Sequence, residues 1–180
     1  MGNRLWPRKS MQWLMVCAAV AVAAYMLWKP REELAAEARL GGSAPAIALA
    51  GLDGDKRTLR PPEGKLLVVN FWATWCEPCR KEARELQSFY EHHGDRVEIY
   101  AVNLTARDRL ADVKAFATKY GLRFPVLLDR DSQAAEAYHV AALPTTYWID
   151  ADGIVAGRNV GPVDEAWLEG LLAGGDGSSR

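Results

Sequence analysis

Cysteine and histidine are scarce in this chain, and their scarcity excludes several classes of protein. Three cysteines among 180 residues are too few for a disulfide-stapled scaffold, and beside a single C-x-x-C pair, with no second one, only three histidines remain as candidates to complete the four ligands of a structural zinc. An excess of either charge is also lacking: 22 Lys+Arg stand against 23 Asp+Glu, a net of −1. That balance excludes the broad basic footprint of a nucleic-acid binder. There is no internal repeat, and no low-complexity block precedes the glycine- and serine-rich end at 174–180, where disorder is expected. The composition is 49% hydrophobic, enough for one ordinary core with an appendage.

The charges that are present are unevenly placed. Residues 1–9 carry Arg4, Arg8 and Lys9 and no acid, 29–44 hold three bases and three acids, and 45–180 are net acidic. Between the first two segments, 10–28 lack charge altogether. A helix of that length, at about 1.5 Å per residue, spans roughly 28 Å, close to the hydrocarbon core of a bilayer. Trp13 near one end and Tyr25 and Trp28 near the other match the aromatic belts at the two interfaces. The expected layout is a cytoplasmic N-terminus (1–9), a transmembrane helix in membrane lipid (10–28), a linker ending near Gly41-Gly42 (29–44), an extracytoplasmic domain (45–173) and a disordered tail (174–180), with the orientation set by the positive-inside rule. A cleaved signal peptide could use Ala21-Val22-Ala23, although the apolar run continues to Trp28. A lipoprotein signal at Cys17 is opposed by Val16, which stands where a small residue is wanted.

The domain alternates strand and helix patterns. Residues 47–52 and 56–59 flank Asp53-Gly54-Asp55 and read as a hairpin, because Asp-Gly supplies the positive φ angles of a tight turn. The run 66–72 (LLVVNFW) is apolar almost throughout, as expected of a central strand buried on both faces. Further strands are expected at 97–104 and 124–128, with a hairpin at 145–150 and 154–160. Helices are expected at 77–93, at 110–120 stopped by Gly121, at 132–138 and at 163–172. The order implies a mixed sheet with helices on both faces, an α/β architecture.

The chemistry lies where the 66–72 strand hands over to its helix, at Trp75-Cys76-Glu77-Pro78-Cys79. A cysteine at a helix start sits beside unpaired backbone N–H groups and the positive end of the helix dipole, which favours its thiolate. A second sulfur three residues on is close enough to close a disulfide with the first. Pro78 suits the first helical turn, where no carbonyl needs its missing N–H. A purely structural role fits such a short loop poorly, since it locks no distant parts of the chain together. The histidines His92, His93 and His139, and the charged run 107–109, read as solvated helix ends rather than as site residues.

The stretch 70–82 (NFWATWCEPCRKE), together with Leu143-Pro144-Thr145-Thr146, resembles the active-site and cis-proline segments of membrane-anchored thioredoxin-like proteins of the TlpA/ResA group, and the likeness extends from Pro45 to about Leu172. It implies a thioredoxin-like fold with an N-terminal β-hairpin extension. It further implies that Cys76 is the attacking nucleophile, Cys79 the resolving thiol, and Pro144 a cis-proline that exposes the backbone of Leu143 to a substrate strand. Trp75, Glu77, Pro78 and Thr145 complete the expected substrate contacts. Asn70 departs from thioredoxin itself, where the matching position is a buried aspartate, and Glu82 is the candidate to replace it. A carboxylate at Glu82 would neighbour Cys79 on the helix, raise its pKa and relay a proton.

The expected activity is reduction of disulfides in exported proteins, with no cofactor beyond the redox-active Cys76–Cys79 pair and no metal. The resemblance suggests apocytochrome c as substrate and a CcdA- or DsbD-like membrane protein as electron donor. Three alternatives stand beside it. The centre could oxidise or isomerise thiols in the DsbA-like direction, or the domain could bind haem or apocytochrome without catalysis. Peroxide chemistry is disfavoured because Ala73 stands where a P-x-x-x-T-x-x-C pattern needs Thr or Ser.

Overall fold

The computed structural model describes residues 17–20 and 37–174. Residues 17–20 are helical, and the rest of the expected transmembrane helix at 10–28 lies outside the described residues, as does most of the tail at 174–180. Among the described residues no helix is long and apolar enough to cross a membrane.

Seven strands form one sheet: β1 (Ala48–Gly51), β2 (Lys56–Thr58), β3 (Leu66–Trp72), β4 (Val97–Asn103), β5 (Val126–Leu128), β6 (Thr145–Ile149) and β7 (Val155–Val160), in the spatial order β2-β1-β5-β4-β3-β6-β7. The strands β3, β4 and β5 run parallel, whereas the hairpins β1–β2 and β6–β7 add antiparallel edges. The midpoint of the sheet is therefore β4, and β3, expected to be central, is its interior neighbour. Its seven residues still have both faces covered, which is why the run is apolar without alternation.

The helices are α1 (Glu77–His93), α2 (Leu110–Tyr120), α3 (Gln133–Ala137) and α4 (Glu165–Gly174). Because strand side chains alternate, Val68 and Trp72 face one core with Ala83, Leu86 and Phe89 of α1, Val113 and Phe116 of α2 and Leu168 of α4. Leu67, Val69 and Phe71 face the other, with Ala134 and Ala137 of α3 and with Leu49, Tyr138 and Tyr147. The same alternation places Asn70, between Val68 and Trp72, on the α1 side. There it becomes a polar group in an apolar layer, 2% exposed.

Local chemistry fixes most boundaries. Gly54 and Gly121 take positive φ, at 93° and 62°, closing the first hairpin and ending α2. Helix α4 begins two residues later than expected because Asp164 accepts the N–H of Trp167 at 2.8 Å and acts as its cap. The short α3 is capped by the carboxylate of Asp129, which accepts from the N–H groups of Ala134 and Ala135. Residues 38–44 lie against the domain: Gly41 donates to Val155, Val155 to Gly42, and Ala44 to Gly153.

Candidate active site

Strand β3 ends at Trp72, and after three intervening residues Cys76 is the N-cap of α1, with φ −81° and ψ 107°. Its sulfur accepts the N–H of Cys79 at 3.3 Å, the place a capping oxygen would occupy. Pro78 lies in the first helical turn, and Glu77 is the acid of that turn. Cys76 and Cys79 form a disulfide with an S–S distance of 2.09 Å, and both are buried, at 4% and 3% exposure. When that bond is reduced, the same N–H remains poised to stabilise a Cys76 thiolate.

A cleft of about 460 Å³ opens beside the disulfide. Trp75, Cys76, Glu77 and Pro78 form one side and residues 140–143 the other, while Leu104 and Arg107 contribute from the loop after β4. The Leu143–Pro144 peptide is cis. Leu143 is on the wall, whereas Pro144 and Thr145 are buried and do not line the cleft. The Thr145 hydroxyl donates to the carbonyl of Ala142 at 2.7 Å, so this residue shapes the wall from within. Five of the nine expected site residues, Trp75, Cys76, Glu77, Pro78 and Leu143, thus meet at one opening, with Cys79, Glu82, Pro144 and Thr145 buried outside its lining. Ala73 presents only a buried methyl group where peroxide chemistry would need a hydroxyl.

Glu82 is 1% exposed on the inner face of α1, one turn beyond Cys79. Its carboxylate accepts from Asn70 Nδ2 at 3.1 Å and from the N–H of Val163 at 3.1 Å. Asn70 also donates to the hydroxyl oxygen of Thr146 at 3.0 Å, since β3 and β6 pair Asn70 directly with Thr146. Burial pushes the carboxyl up to about 7, with the bonds from Val163, Asn70 and Thr146 holding it partly down. Glu82 also lines a second cleft, of about 430 Å³, between the start of α1 and Pro162-Val163-Asp164. A carboxyl that titrates near neutrality can take a proton and return it.

Two features of the site, and one helix cap outside it, were not visible in sequence. Trp75 is 55% exposed, and its indole N–H donates to the carbonyl of Arg107 at 3.0 Å. Asp108, read as part of a solvated run, accepts from both the N–H and the hydroxyl of Thr74, at 2.7 and 2.6 Å. The cap made by Asp129 likewise comes from outside its helix. The histidines stay away from the cleft: His92 pairs with Glu165 at 3.0 Å, His93 packs on Phe89, and His139 lies 3.4 Å from Glu37.

The AhpC/TSA family model matches residues 40–158. The thioredoxin-like protein YneN of Bacillus subtilis (strain 168) is 37% identical over 133 residues, covering 73% of this chain and 78% of that protein. The thiol-disulfide oxidoreductase ResA of the same strain is 34% identical over 171 residues, covering 94% and 92%. Among solved structures, a thiol:disulfide interchange protein of the thioredoxin family from Chlorobium tepidum TLS superposes with a TM-score of 0.69 at 27% identity, over 79% of this chain and all of that one.

Proposed function

The chain belongs to the AhpC/TSA family and is a thiol-disulfide oxidoreductase of the ResA type, and from that premise we propose that it reduces disulfides in exported proteins from an anchored position on the outer side of the cytoplasmic membrane. The observation that carries the direction of attack is the placement of Cys76: N-cap of α1, in contact with the Cys79 N–H, and on the wall of the 460 Å³ cleft.

In the reaction proposed, the Cys76 thiolate attacks one sulfur of a substrate disulfide, and the first substrate thiolate leaves. Cys79 then loses its proton and attacks the Cys76 sulfur. That step releases the second substrate thiolate and forms the Cys76–Cys79 disulfide, so two electrons pass to the substrate and two thiols of this chain are oxidised. Glu82, on the turn after Cys79 and titrating near 7, takes the resolving proton. Trp75, Glu77, Pro78 and Leu143 contact the substrate, while Pro144 and Thr145 hold the Leu143 backbone toward it.

The uncharged stretch 10–28 serves as the membrane anchor, and the basic residues before it keep the N-terminus in the cytoplasm. The substrates are disulfide-bearing exported proteins, apocytochrome c among them, and electrons arrive from a CcdA- or DsbD-like membrane protein. These assignments are tested by expressing Cys79→Ser in the native membrane and identifying what remains linked to Cys76. Exported proteins with paired cysteines are the expected adducts. Adducts that persist in a Cys76→Ser, Cys79→Ser double variant, or that are all cytoplasmic proteins, would overturn the reading.

A further inference from the structure

The loop between β4 and α2 does more than connect them. Its Asp108 accepts four hydrogen bonds: Oδ2 from Thr74 N–H at 2.7 Å and Asn103 Nδ2 at 2.9 Å, and Oδ1 from the Thr74 hydroxyl at 2.6 Å and its neighbour Arg109 N–H at 2.9 Å. Hydrogen bonds to an ionised carboxylate are the strong ones, and a two-pronged grip on one residue adds directional control. The carbonyl of Thr74 is held from the other side by Arg80 Nε at 3.0 Å, so every polar group of Thr74 is engaged. The next residue, Trp75, ties back to the same loop through its indole N–H and the Arg107 carbonyl. Asn103 anchors the arrangement in the interior: it is fully buried, and its Oδ1 accepts from the Thr105 hydroxyl at 3.0 Å.

The residues so joined, Trp75 and Arg107, both line the cleft beside Cys76. Trp75 is more than half exposed and has no core to hold it, so its orientation rests on these loop contacts. We infer that Asp108 is a positioning residue for substrate binding: it splints Thr74 and thereby sets the Trp75–Arg107 wall against which a protein substrate docks. Asp108 does not itself line the cleft. The inference rests on the oxidoreductase reading for its kinetic consequence, but its local consequence can be measured without turnover.

The test uses the full chain, insulin as the protein disulfide and dithiothreitol as the small dithiol. Asp108→Asn keeps the shape and replaces one acceptor oxygen by an NH2 group that faces donors. It should raise KM for insulin about tenfold while kcat and the rate of reduction by dithiothreitol stay within about twofold, the dithiol being too small to use the wall. Thr74→Val leaves the Asp108 charge in place and removes only the hydroxyl donor, so a rise of about threefold in the same direction separates placement from charge. Amide exchange at Thr74 and indole exchange at Trp75 should accelerate in Asp108→Asn. Unchanged KM and exchange, or equal losses toward insulin and dithiothreitol with a fall in melting temperature, would overturn the inference. If Asp108→Asn fails to fold, Thr74→Val decides by itself. A wild-type chain unable to reduce insulin would count against the protein-disulfide reduction proposed above, while exchange at Thr74 would still judge the splint.

Discussion

Glu82→Gln removes one ionisable group and almost no volume, and its effect on stability should depend on pH. In the native fold burial raises the Glu82 carboxyl from 4.5 to about 7. Well below pH 4.5 the group is protonated in folded and unfolded chains alike and contributes nothing through titration. As pH rises from there toward 7, the unfolded chain releases the proton while the folded chain retains it, so stability falls; above 7 the penalty is complete. At 1.36 kcal/mol per pH unit the full penalty is about 3 kcal/mol. The glutamine variant escapes it. Glutamine, however, offers one oxygen and one NH2 to two donors, Asn70 Nδ2 and Val163 N–H, which adds a pH-independent cost of about 1–2 kcal/mol. Urea denaturation of the oxidised protein should therefore find the variant less stable than wild type at pH 4 and more stable at pH 8. The pH–rate profile of disulfide exchange should flatten near 7 in the same variant, and a cysteine pKa should fall because a neighbouring negative charge has gone. Parallel stability curves from pH 4 to 8 would mean instead that the carboxyl titrates as an exposed glutamate does.

Other expectations follow from separate parts of the molecule. A Cβ built at Gly157 would lie 1.8 Å from Trp148 Cζ2, and that ring packs edge-on against Trp167 with centroids 5.2 Å apart. Gly157→Ala should lower the urea midpoint by the equivalent of about 1–3 kcal/mol, and an unchanged midpoint would show the ring free to move aside. In the reduced protein Cys76 should be alkylated faster than Cys79 at about pH 6, because only Cys76 caps the helix; equal rates would remove the helix-start argument. A reporter fused after Arg180 should be active only outside the cytoplasm, and full release of a shortened chain into the soluble fraction would replace the anchor by a cleaved signal.

Patterns confined to neighbouring residues were legible without coordinates. The apolar run of β3, the Asp-Gly turn, the α2 stop at Gly121 and the cysteine pair at the start of α1 each depend on a few consecutive side chains, and each stands within a residue or two of its expected place. The polar contacts that complete the site depend on pairing between elements. Glu82 meets Asn70 from β3 and Val163 from the turn before α4, residues 12 and 81 positions away, and no periodicity announces such a meeting. Asp108 misled for the same reason: flanked by Arg107 and Arg109 it has the composition of a solvated surface, whereas its partner Thr74 is 34 residues away. The strand order also decides something that hydropathy does not. Both β3 and β4 are apolar interior strands, and only the pairing of β5 with β1 makes β4 the midpoint.

Single-turnover kinetics separate attack by Cys76 from resolution by Cys79. Reduced protein is mixed with a slight excess of a protein disulfide, the reaction is quenched in acid, and free substrate thiols are counted alongside the Cys76–Cys79 disulfide. Wild type should release two substrate thiols for each disulfide formed. Cys79→Ser should release one and stop as a mixed disulfide through Cys76, and Cys76→Ser should release none on the same timescale. Release from Cys76→Ser at a rate near that of wild type would mean that Cys76 is not the attacking thiol.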